Sequence, residues 1–171
     1  MGRSELAGEL ERLHEQSWGW ALACCRRDVH AAEEALQTAY LHILSGRARF
    51  DGRSSLRTWV FGVIRLTAMR ELRRRRVRDV RDAEAEGAAA VIDPATPPDV
   101  AAERSERRDK LLRVLATLSP RQSEILHLVF YHDMTIEEAA AVMNLSVGSA
   151  RTHYTRAKQA VARLLTSGVL R

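Results

Sequence analysis

The chain has 171 residues and a formal net charge of +5 at pH 7, with 46% hydrophobic and only 5% aromatic residues. The hydrophobic share supports packed cores, and the abundance of Ala, Leu, Glu and Arg favours helices over sheets. A basic chain of this kind favours polyanionic partners. No apolar run reaches the roughly 18 residues of a membrane span, and no signal peptide is recognisable, so we expect a cytoplasmic protein without membrane insertion.

The two cysteines, Cys24 and Cys25, are adjacent in the sequence. Neighbouring residues on a helix point about 100° apart, so these thiols cannot form an ordinary bridge, and a disulfide framework is excluded. We predict two reduced core residues, with a thiol sensor as the alternative. The six histidines show no metal-ligand spacing with these cysteines, so we expect no metal and no cofactor.

Apolar spacing predicts three helices in the first part of the chain. The first covers about residues 4–26, the second starts at the N-cap Asp28 and ends at Ser45-Gly46, and the third is capped by Ser54 or Ser55. The predicted core faces are Leu6, Leu10, Leu13, Trp20 and Cys24 for the first helix, Ala32, Leu36, Ala39, Tyr40 and Ile43 for the second, and Leu56, Trp59, Val63 and Leu66 for the third.

Charge changes sign along the chain. Residues 47–81 hold twelve arginines and three acids, residues 80–106 are acidic overall, and no acid follows Leu145. This basic, acidic, basic layout indicates two nucleic-acid surfaces separated by a spacer.

The spacer is predicted to be a linker at residues 79–99, which contains three prolines and too little large apolar surface to offset the entropy of ordering. We therefore predict an all-α protein of two small helical domains, residues 1–78 and 100–171, joined by this flexible acidic linker.

The second domain is predicted to begin with a helix that includes Val100, Leu111, Leu112 and Leu115. Ser119 and Pro120 are the N-cap and first residue of the next helix. Its apolar stripe is Ile125, Leu126, Val129 and Phe130, and Gly168 is a plausible stop at the end of the domain.

Residues 135–165 predict a helix-turn-helix. Thr135 opens a short amphipathic run, a tight turn follows at Asn144-Leu145-Ser146, and residues 147–165 form a basic run without any acid. The second helix of such a motif fits the DNA major groove. An ordinary bundle helix with a solvated basic face is the alternative, which the lack of acids disfavours.

A 100° helical wheel places Ala150, Tyr154, Ala157 and Val161 toward the partner helices, so the opposite side of the second helix is predicted to meet DNA. Arg can take two acceptors of a guanine, and Ser and Thr serve bases or phosphates. For His153, packing against the partner helices and contact with DNA remain alternatives. The predicted base contacts are Ser149, Arg151 and Thr152; Arg156 and Lys158 are the predicted backbone contacts, and Thr155 shares their face.

Three stretches of this half resemble region 4 of bacterial sigma factors: Leu118-Ser119-Pro120-Arg121-Gln122, Thr135-Ile136-Glu137-Glu138-Ala139-Ala140 and Ser146-Val147-Gly148-Ser149-Ala150-Arg151-Thr152. Separately, Arg49-Phe50-Asp51-Gly52-Arg53-Ser54-Ser55-Leu56-Arg57-Thr58-Trp59 is similar to region 2 of the extracytoplasmic-function (ECF, group IV) subfamily of the sigma-70 family. Ala32-Glu33-Glu34 and Gln37 fall where that subfamily usually has its polymerase-binding helix. The resemblance covers nearly the whole chain except the linker.

The resemblance implies a protein that is not an enzyme and takes no small-molecule substrate. It implies binding to the β and β′ subunits of core RNA polymerase, recognition of the promoter −35 and −10 elements, promoter opening, and control by an anti-sigma factor. The implied polymerase-binding residues, on the helix of residues 28–44, are Glu33, Glu34, Gln37 and Leu41. The implied −10 and melting residues are Phe50, Arg53, Arg57, Trp59, Arg65, Arg73, Arg74, Arg75 and Arg76, and the recognition helix would read the −35 element.

Elementary chemistry is consistent with these roles, because strand opening needs a basic track for phosphates and a stacking surface for an extruded base. Phe50 and Trp59 offer aromatic faces, although Trp59 also fits a helical core. Four consecutive arginines wrap right round a helix, so that end is predicted to stay exposed and to meet phosphate.

Two departures keep other readings open: Leu66 stands where the subfamily often has an Asn, and Thr38 where it often has a Glu. These departures leave open a sigma-like interaction protein that binds polymerase or an anti-sigma partner without opening promoters. A free-standing helix-turn-helix regulator is a further alternative, but it leaves residues 50–76 unexplained. An enzyme is disfavoured because no Ser/His/Asp, phosphate-loop or metal constellation appears.

Overall fold

The computed structural model describes residues 2–86 and 118–166. These residues form helices and no strand, which confirms the all-α prediction. The chain divides into two compact units, Met1–Pro94 (unit 1) and Ala95–Arg171 (unit 2). Most of the predicted linker, the helix predicted around residues 100–115 and the stop at Gly168 lie outside the described residues, and the domain limits at 78 and 99 stay a prediction.

Unit 1 contains the helices α1 (Arg3–Arg12), α2 (His14–Cys24), α3 (Val29–Leu44) and α4 (Leu56–Glu86). The single helix expected over residues 4–26 is wrong, because the chain is interrupted at Leu13 between α1 and α2. No proline or nearby turn motif marks this interruption in the sequence. At the other end, α4 continues to Glu86, so residues 79–86 are helical although the sequence placed them in the linker.

The predicted helix boundaries around α3 and α4 are confirmed. Asp28 caps α3, since its Oδ1 accepts the Ala31 N–H at 2.9 Å. The helix ends at Leu44, and Gly46 follows with φ of +75°, a left-handed conformation that glycine adopts without steric cost. Of the two serines proposed as the cap of α4, Ser55 fills the role, because its Oγ accepts the Thr58 N–H at 3.1 Å.

The core of unit 1 is centred on Trp20 and Phe61, whose rings stack with centroids 6.0 Å apart. The Trp20 indole N–H also donates to the Phe61 carbonyl at 3.0 Å, so the one polar atom of this buried side chain has a partner. The predicted core face of α3 is confirmed: Ala32, Leu36, Ala39 and Ile43 are buried and Tyr40 is half-buried.

The predicted core face of α4 is wrong in part. Leu66 is 49% exposed, and Trp59 and Val63 are only half-buried. The helix buries instead Val60, Phe61, Ile64 and Ala68. Apolar residues occur all round the first half of α4, so periodicity alone cannot choose between its faces.

Unit 2 contains α5 (Pro120–Leu126), a π-helical turn (His127–Tyr131), α6 (Ile136–Met143) and α7 (Val147–Thr166). Ser119 and Gln122 form the reciprocal cap that starts α5, with Pro120 at the first helical position, as predicted. Phe130, which the sequence placed in the core stripe, is 65% exposed, and Leu128 is fully buried instead. The π-turn explains this, because its wider ring rotates successive side chains by less than an α-helix does.

Within residues 2–86 and 118–166, no helix is both long and apolar enough to cross a membrane.

Candidate nucleic-acid interface

The helix-turn-helix of unit 2 is built by caps at three points. Thr135 and Glu138 exchange hydrogen bonds at the start of α6, with Glu138 N–H to Thr135 Oγ1 at 3.1 Å and Thr135 N–H to Glu138 Oε2 at 2.9 Å. The helix ends at Asn144, which adopts a left-handed conformation (φ 52°, ψ 51°), and Leu145 N–H donates to the Ala140 carbonyl at 2.9 Å. Ser146 then caps α7 by accepting the Ser149 N–H at 3.1 Å.

Helix α7 is fixed to unit 2 by the side that the helical wheel predicted. Ala150 and Ala157 are fully buried, and Tyr154 and Val161 are half-buried. Ala157, Tyr154 and Val161 pack in one cluster with Leu118 and Leu126. His153 is half-buried, which favours neither packing nor DNA contact. Small residues at the buried positions let α7 lie close to its partner helices, so its opposite side is presented to solvent.

The opposite side of α7 carries every residue predicted to contact the −35 element, and each of them is exposed: Ser149, Arg151, Thr152, Thr155, Arg156 and Lys158. Helix α7 contributes no acid to this face. Two side chains are held by neighbours: Lys158 Nζ lies 4.5 Å from the centre of the Tyr154 ring, and Arg151 Nη2 lies 3.0 Å from Glu137 Oε1 of α6.

The two hydroxyls of this face differ in what they can offer to DNA. Thr152 Oγ1 donates to the Gly148 carbonyl at 3.0 Å, so its single O–H is already used inside the helix and only acceptor capacity and a methyl group remain. Ser149 Oγ accepts from Ser146 at 2.9 Å, so its own O–H remains available as a donor.

In unit 1, the structure brings together the two aromatic residues predicted for the −10 surface. The rings of Phe50 and Trp59 have centroids 5.3 Å apart at an angle of 51°, and both residues are half-buried. Trp59 therefore belongs neither to the core nor fully to the surface. Arg53 is exposed and Arg57 is half-buried nearby in the sequence.

Arg65 is the member of the predicted −10 set that is least accessible. It is only 7% exposed, because it lies one helical turn after the buried Phe61 and one before the buried Ala68. Its placement does not favour phosphate contact, and its assignment stays a prediction.

The run of four arginines is divided by the fold. Arg73, Arg74 and Arg76 are exposed. Arg75 turns toward α3 and pairs with Asp28 at 3.0 Å, Glu34 at 3.1 Å and Glu71 at 3.2 Å. The expectation that this whole helix end stays exposed is therefore wrong for Arg75.

A sequence signal for this cluster existed and was missed. Ile64, Ala68, Glu71 and Arg75 are spaced by four, three and four residues, so the buried side of α4 leads directly to this arginine. Asp28 and Glu71, which no functional prediction included, hold it there.

The predicted polymerase-binding residues share the exposed side of α3. Glu33, Gln37 and Leu41 follow one another at intervals of four residues, Glu34 lies beside them, and all four are exposed, Leu41 by 67%. The hydrogen bond from Arg75 lowers the pKa of the Glu34 carboxyl below its ordinary value, which keeps it charged at neutral pH.

Both cysteines are buried thiols, as predicted for core residues. Burial, followed by the negative charge of Asp28, raises the pKa of Cys25 from 9.0 to about 12. The thiolate is the reactive form of cysteine, so the raised pKa and the burial of Cys25 disfavour its reaction at neutral pH in the folded protein. Among the residues that the structure describes, no three His, Cys, Asp or Glu side chains form a group that could hold a metal ion.

Two family models match this chain. Residues 10–78 match sigma-70 region 2, and residues 108–161 match sigma-70 region 4. The ECF RNA polymerase sigma factor SigC of Mycobacterium tuberculosis is 30% identical over 144 residues, which cover 83% of this chain and 74% of that protein. The RNA polymerase sigma factor CarQ of Myxococcus xanthus is 28% identical over 146 residues, which cover 84% and 80% of the two chains.

Two solved structures share the fold. The sigma factor RpoE from Bartonella quintana, solved in complex with the anti-sigma factor NepR, superposes with a TM-score of 0.69 at 22% identity, covering 95% of this chain and 97% of that one. CnrH, solved with the cytosolic domain of CnrY, gives a TM-score of 0.64 at 20% identity, covering 97% and 90%.

The two matched regions define the class of this protein: sigma-70 factors, which bind RNA polymerase and promoter DNA to initiate transcription. At the level of the family, the chain belongs to the ECF RNA polymerase sigma factors.

Proposed function

We propose that this chain is a group IV ECF sigma factor that acts in the cytoplasm, and that α7 reads the promoter −35 element. The observation that carries this proposal is the exposed face of α7, which has no acid of its own and is fixed in place by Ala150 and Ala157. Such a helix fits the major groove, where its N-terminal turns lie nearest to the bases.

The −10 element is read and opened by the surface around Phe50 and Trp59, together with the exposed cations of α4. The aromatic pair supplies a partly exposed stacking surface, and Arg73, Arg74 and Arg76 supply a track for phosphates. Arg75 is left out of this track, because three carboxylates already neutralise it.

Core RNA polymerase binds the exposed side of α3 through its β and β′ subunits. Leu41 provides an apolar anchor of the kind that interfaces bury at their centre, and Glu33, Glu34 and Gln37 provide a polar rim. The polymerase-binding residues and the aromatic −10 pair do not overlap, so polymerase and DNA use different residues of unit 1.

Run-off transcription with reconstituted core polymerase tests the proposal. Specific transcripts should appear from a genomic DNA library only when this chain is added, and footprints should protect a −35 and a −10 element. Arg151→Ala should lose −35 discrimination by about five- to one-hundred-and-fiftyfold, the value of one good base contact, while binding to core polymerase is retained. Transcripts that do not depend on this chain would contradict the proposal.

An anti-sigma factor is the proposed regulator, supported by the RpoE structure, which was solved with the anti-sigma factor NepR. Co-purification from the native host with a partner that suppresses the run-off signal tests this part separately. If no co-purifying protein suppresses transcription in the reconstituted system, the proposal of an anti-sigma regulator fails.

Leu66 favours one second candidate, a sigma-like protein that binds polymerase without opening promoters. Its side chain is 49% exposed and apolar, whereas a base-recognition pocket needs polar partners. Permanganate reactivity of thymines near the start site separates the two, since only a true initiation factor produces unpaired bases there.

A further inference from the structure

The exposed face of α7 receives a carboxylate from another helix. Glu137, in the first turn of α6, places Oε1 at 3.0 Å from Nη2 of Arg151. The two side chains are 58% and 68% exposed, respectively. Glu137 thus brings a negative charge to a surface that has none of its own and that is proposed to bind a polyanion, which makes its presence there costly for DNA affinity.

Folding accounts for only part of this carboxylate, which lies in the first turn of α6 and so gains a modest stabilisation from the helix N-terminus. Exposed ion pairs contribute little to stability because water screens them and two long side chains must be ordered. The cap of α6 is formed by Thr135 with Glu138, so Glu137 is not required for it. Its own backbone N–H and then Arg151 lower the pKa of the Glu137 carboxyl, so it is charged at neutral pH.

We propose that Glu137 is a positioning residue that sets the specificity of Arg151, an inference that rests on the proposed reading of the −35 element by α7. The Arg151 guanidinium is planar and has five N–H donors. The contact to Glu137 engages one terminal nitrogen and restricts the long side chain, so the remaining donors approach a base with less entropy to lose.

The same contact acts against the wrong DNA. On a sequence without a matching base, a mobile arginine would turn to the nearest phosphate and add affinity that carries no sequence information. An arginine already paired with Glu137 gains less from that phosphate. Glu137 therefore lowers the affinity for non-cognate DNA. Because the affinity for the cognate sequence falls less, discrimination between the two increases.

The test is selection of −35 sequences from a randomised promoter library by the reconstituted holoenzyme. Glu137→Gln should raise affinity for non-cognate DNA by about two- to fivefold and flatten the selected sequence at the same position that Arg151→Ala flattens. Adding Glu137→Gln to Arg151→Ala should cause no further loss of selection, because the residue that it positions is gone.

Asp133→Asn is the matched control. It removes one exposed carboxylate from the same unit, and Asn tolerates the left-handed backbone at this position (φ 50°). It should leave the selected sequence unchanged. Melting curves followed by circular dichroism verify that Glu137→Gln remains folded.

Each outcome bears on one claim. If the wild-type holoenzyme selects no −35 sequence, the proposed function fails. If the wild type selects a sequence that Glu137→Gln leaves intact, or if Asp133→Asn flattens it equally, the positioning role fails while the proposed function stands. A melted Glu137→Gln variant would show that the carboxylate is structural and would also overturn the inference.

Discussion

At the scale of single residues, Asn144 shows how one backbone conformation can define a functional motif. Its left-handed φ of 52° ends α6 and redirects the chain into α7. The sequence predicted a turn here, since Asn adopts this conformation more readily than most residues. The orientation of α7, and so of its whole exposed face, depends on that turn.

Asn144→Ala should lower the free energy of unfolding of unit 2 by about 1 kcal/mol, because a Cβ-bearing residue without a local hydrogen-bonding side chain is strained at positive φ. Asn144→Gly should remain within a few tenths of a kcal/mol of the wild type. Urea denaturation followed by circular dichroism measures both. Equal stability of the Ala and wild-type proteins would show that the turn is not strained.

Cys25 makes a prediction about pH. Its pKa is raised on folding, so the folded protein holds the thiol proton more tightly than the unfolded chain. The resulting contribution to the free energy of unfolding is complete below about pH 9. Stability should then fall as the pH rises from about 9 toward about 12, by up to about 1.4 kcal/mol per pH unit.

Tyrosines and lysines titrate in the same range, so the measurement is a difference between variants. Cys25→Ala should have a flatter stability profile above pH 9 than the wild type. Identical slopes for the wild type and Cys25→Ala would refute the raised pKa.

At the scale of secondary-structure elements, α4 shows that consecutive like charges on a helix have unlike roles. Arg75 is enclosed by carboxylates from α3 and α4, whereas its neighbours in the run face solvent. Helical geometry separates them, because adjacent residues point about 100° apart.

The triple variant Arg73→Gln, Arg74→Gln, Arg76→Gln should reduce the slope of log K against log salt for promoter binding by up to about three, and leave folding intact. Arg75→Gln is its counterpart: it should leave the slope unchanged and lower the stability of unit 1, because Asp28 and Glu34, the cap and a residue of α3, lose their partner. A shallower slope for Arg75→Gln would assign this residue to DNA as well.

The sequence predicted elements better than it predicted faces. Helix caps at Asp28, Ser119 and Thr135 are local hydrogen-bond patterns, so they were readable from residue type and spacing. The exposure of Phe130 was not readable, because a π-turn is not encoded by any single residue type.

For the candidate site too, features within one helix were predictable and contacts between helices were not. The exposed face of α7 followed from a clear apolar period on its other side, so its residues were predictable. The contact between Glu137 and Arg151 joins two helices that are separate in the sequence, and the ion pairs of Arg75 depend on Asp28, the cap of α3, and on Glu34 within α3. Tertiary contacts of this kind cannot be read from the period of one helix.

At the scale of the whole molecule, the two units have separate cores. Trp20, Phe61 and Ile64 are fully buried in unit 1, and Ile125 and Leu128 are fully buried in unit 2. All three tryptophans, Trp18, Trp20 and Trp59, belong to unit 1. Tryptophan fluorescence therefore reports the unfolding of unit 1, while circular dichroism reports the helices of both.

Leu128→Ala should destabilise unit 2 by about 2–5 kcal/mol, the usual cost of a cavity at a fully buried leucine. The loss of helical signal should move to lower urea concentration while the fluorescence transition stays in place. Ile64→Ala, its counterpart in unit 1, should move the fluorescence transition. Parallel shifts of both signals in the Leu128→Ala variant would show that the two units unfold together.

The ion pairs of Arg75 affect the expected rate at which the proposed polymerase surface on α3 associates with its partner. The Arg75 guanidinium links Asp28, just before α3, and Glu34, in its second turn, to α4. The exposed side of α3 is therefore fixed in position before any partner binds to it. If core polymerase binds this surface as proposed, it loses little entropy in ordering it. Encounter should then resemble the docking of two rigid bodies, with a rate governed by diffusion and long-range attraction rather than by a preceding rearrangement.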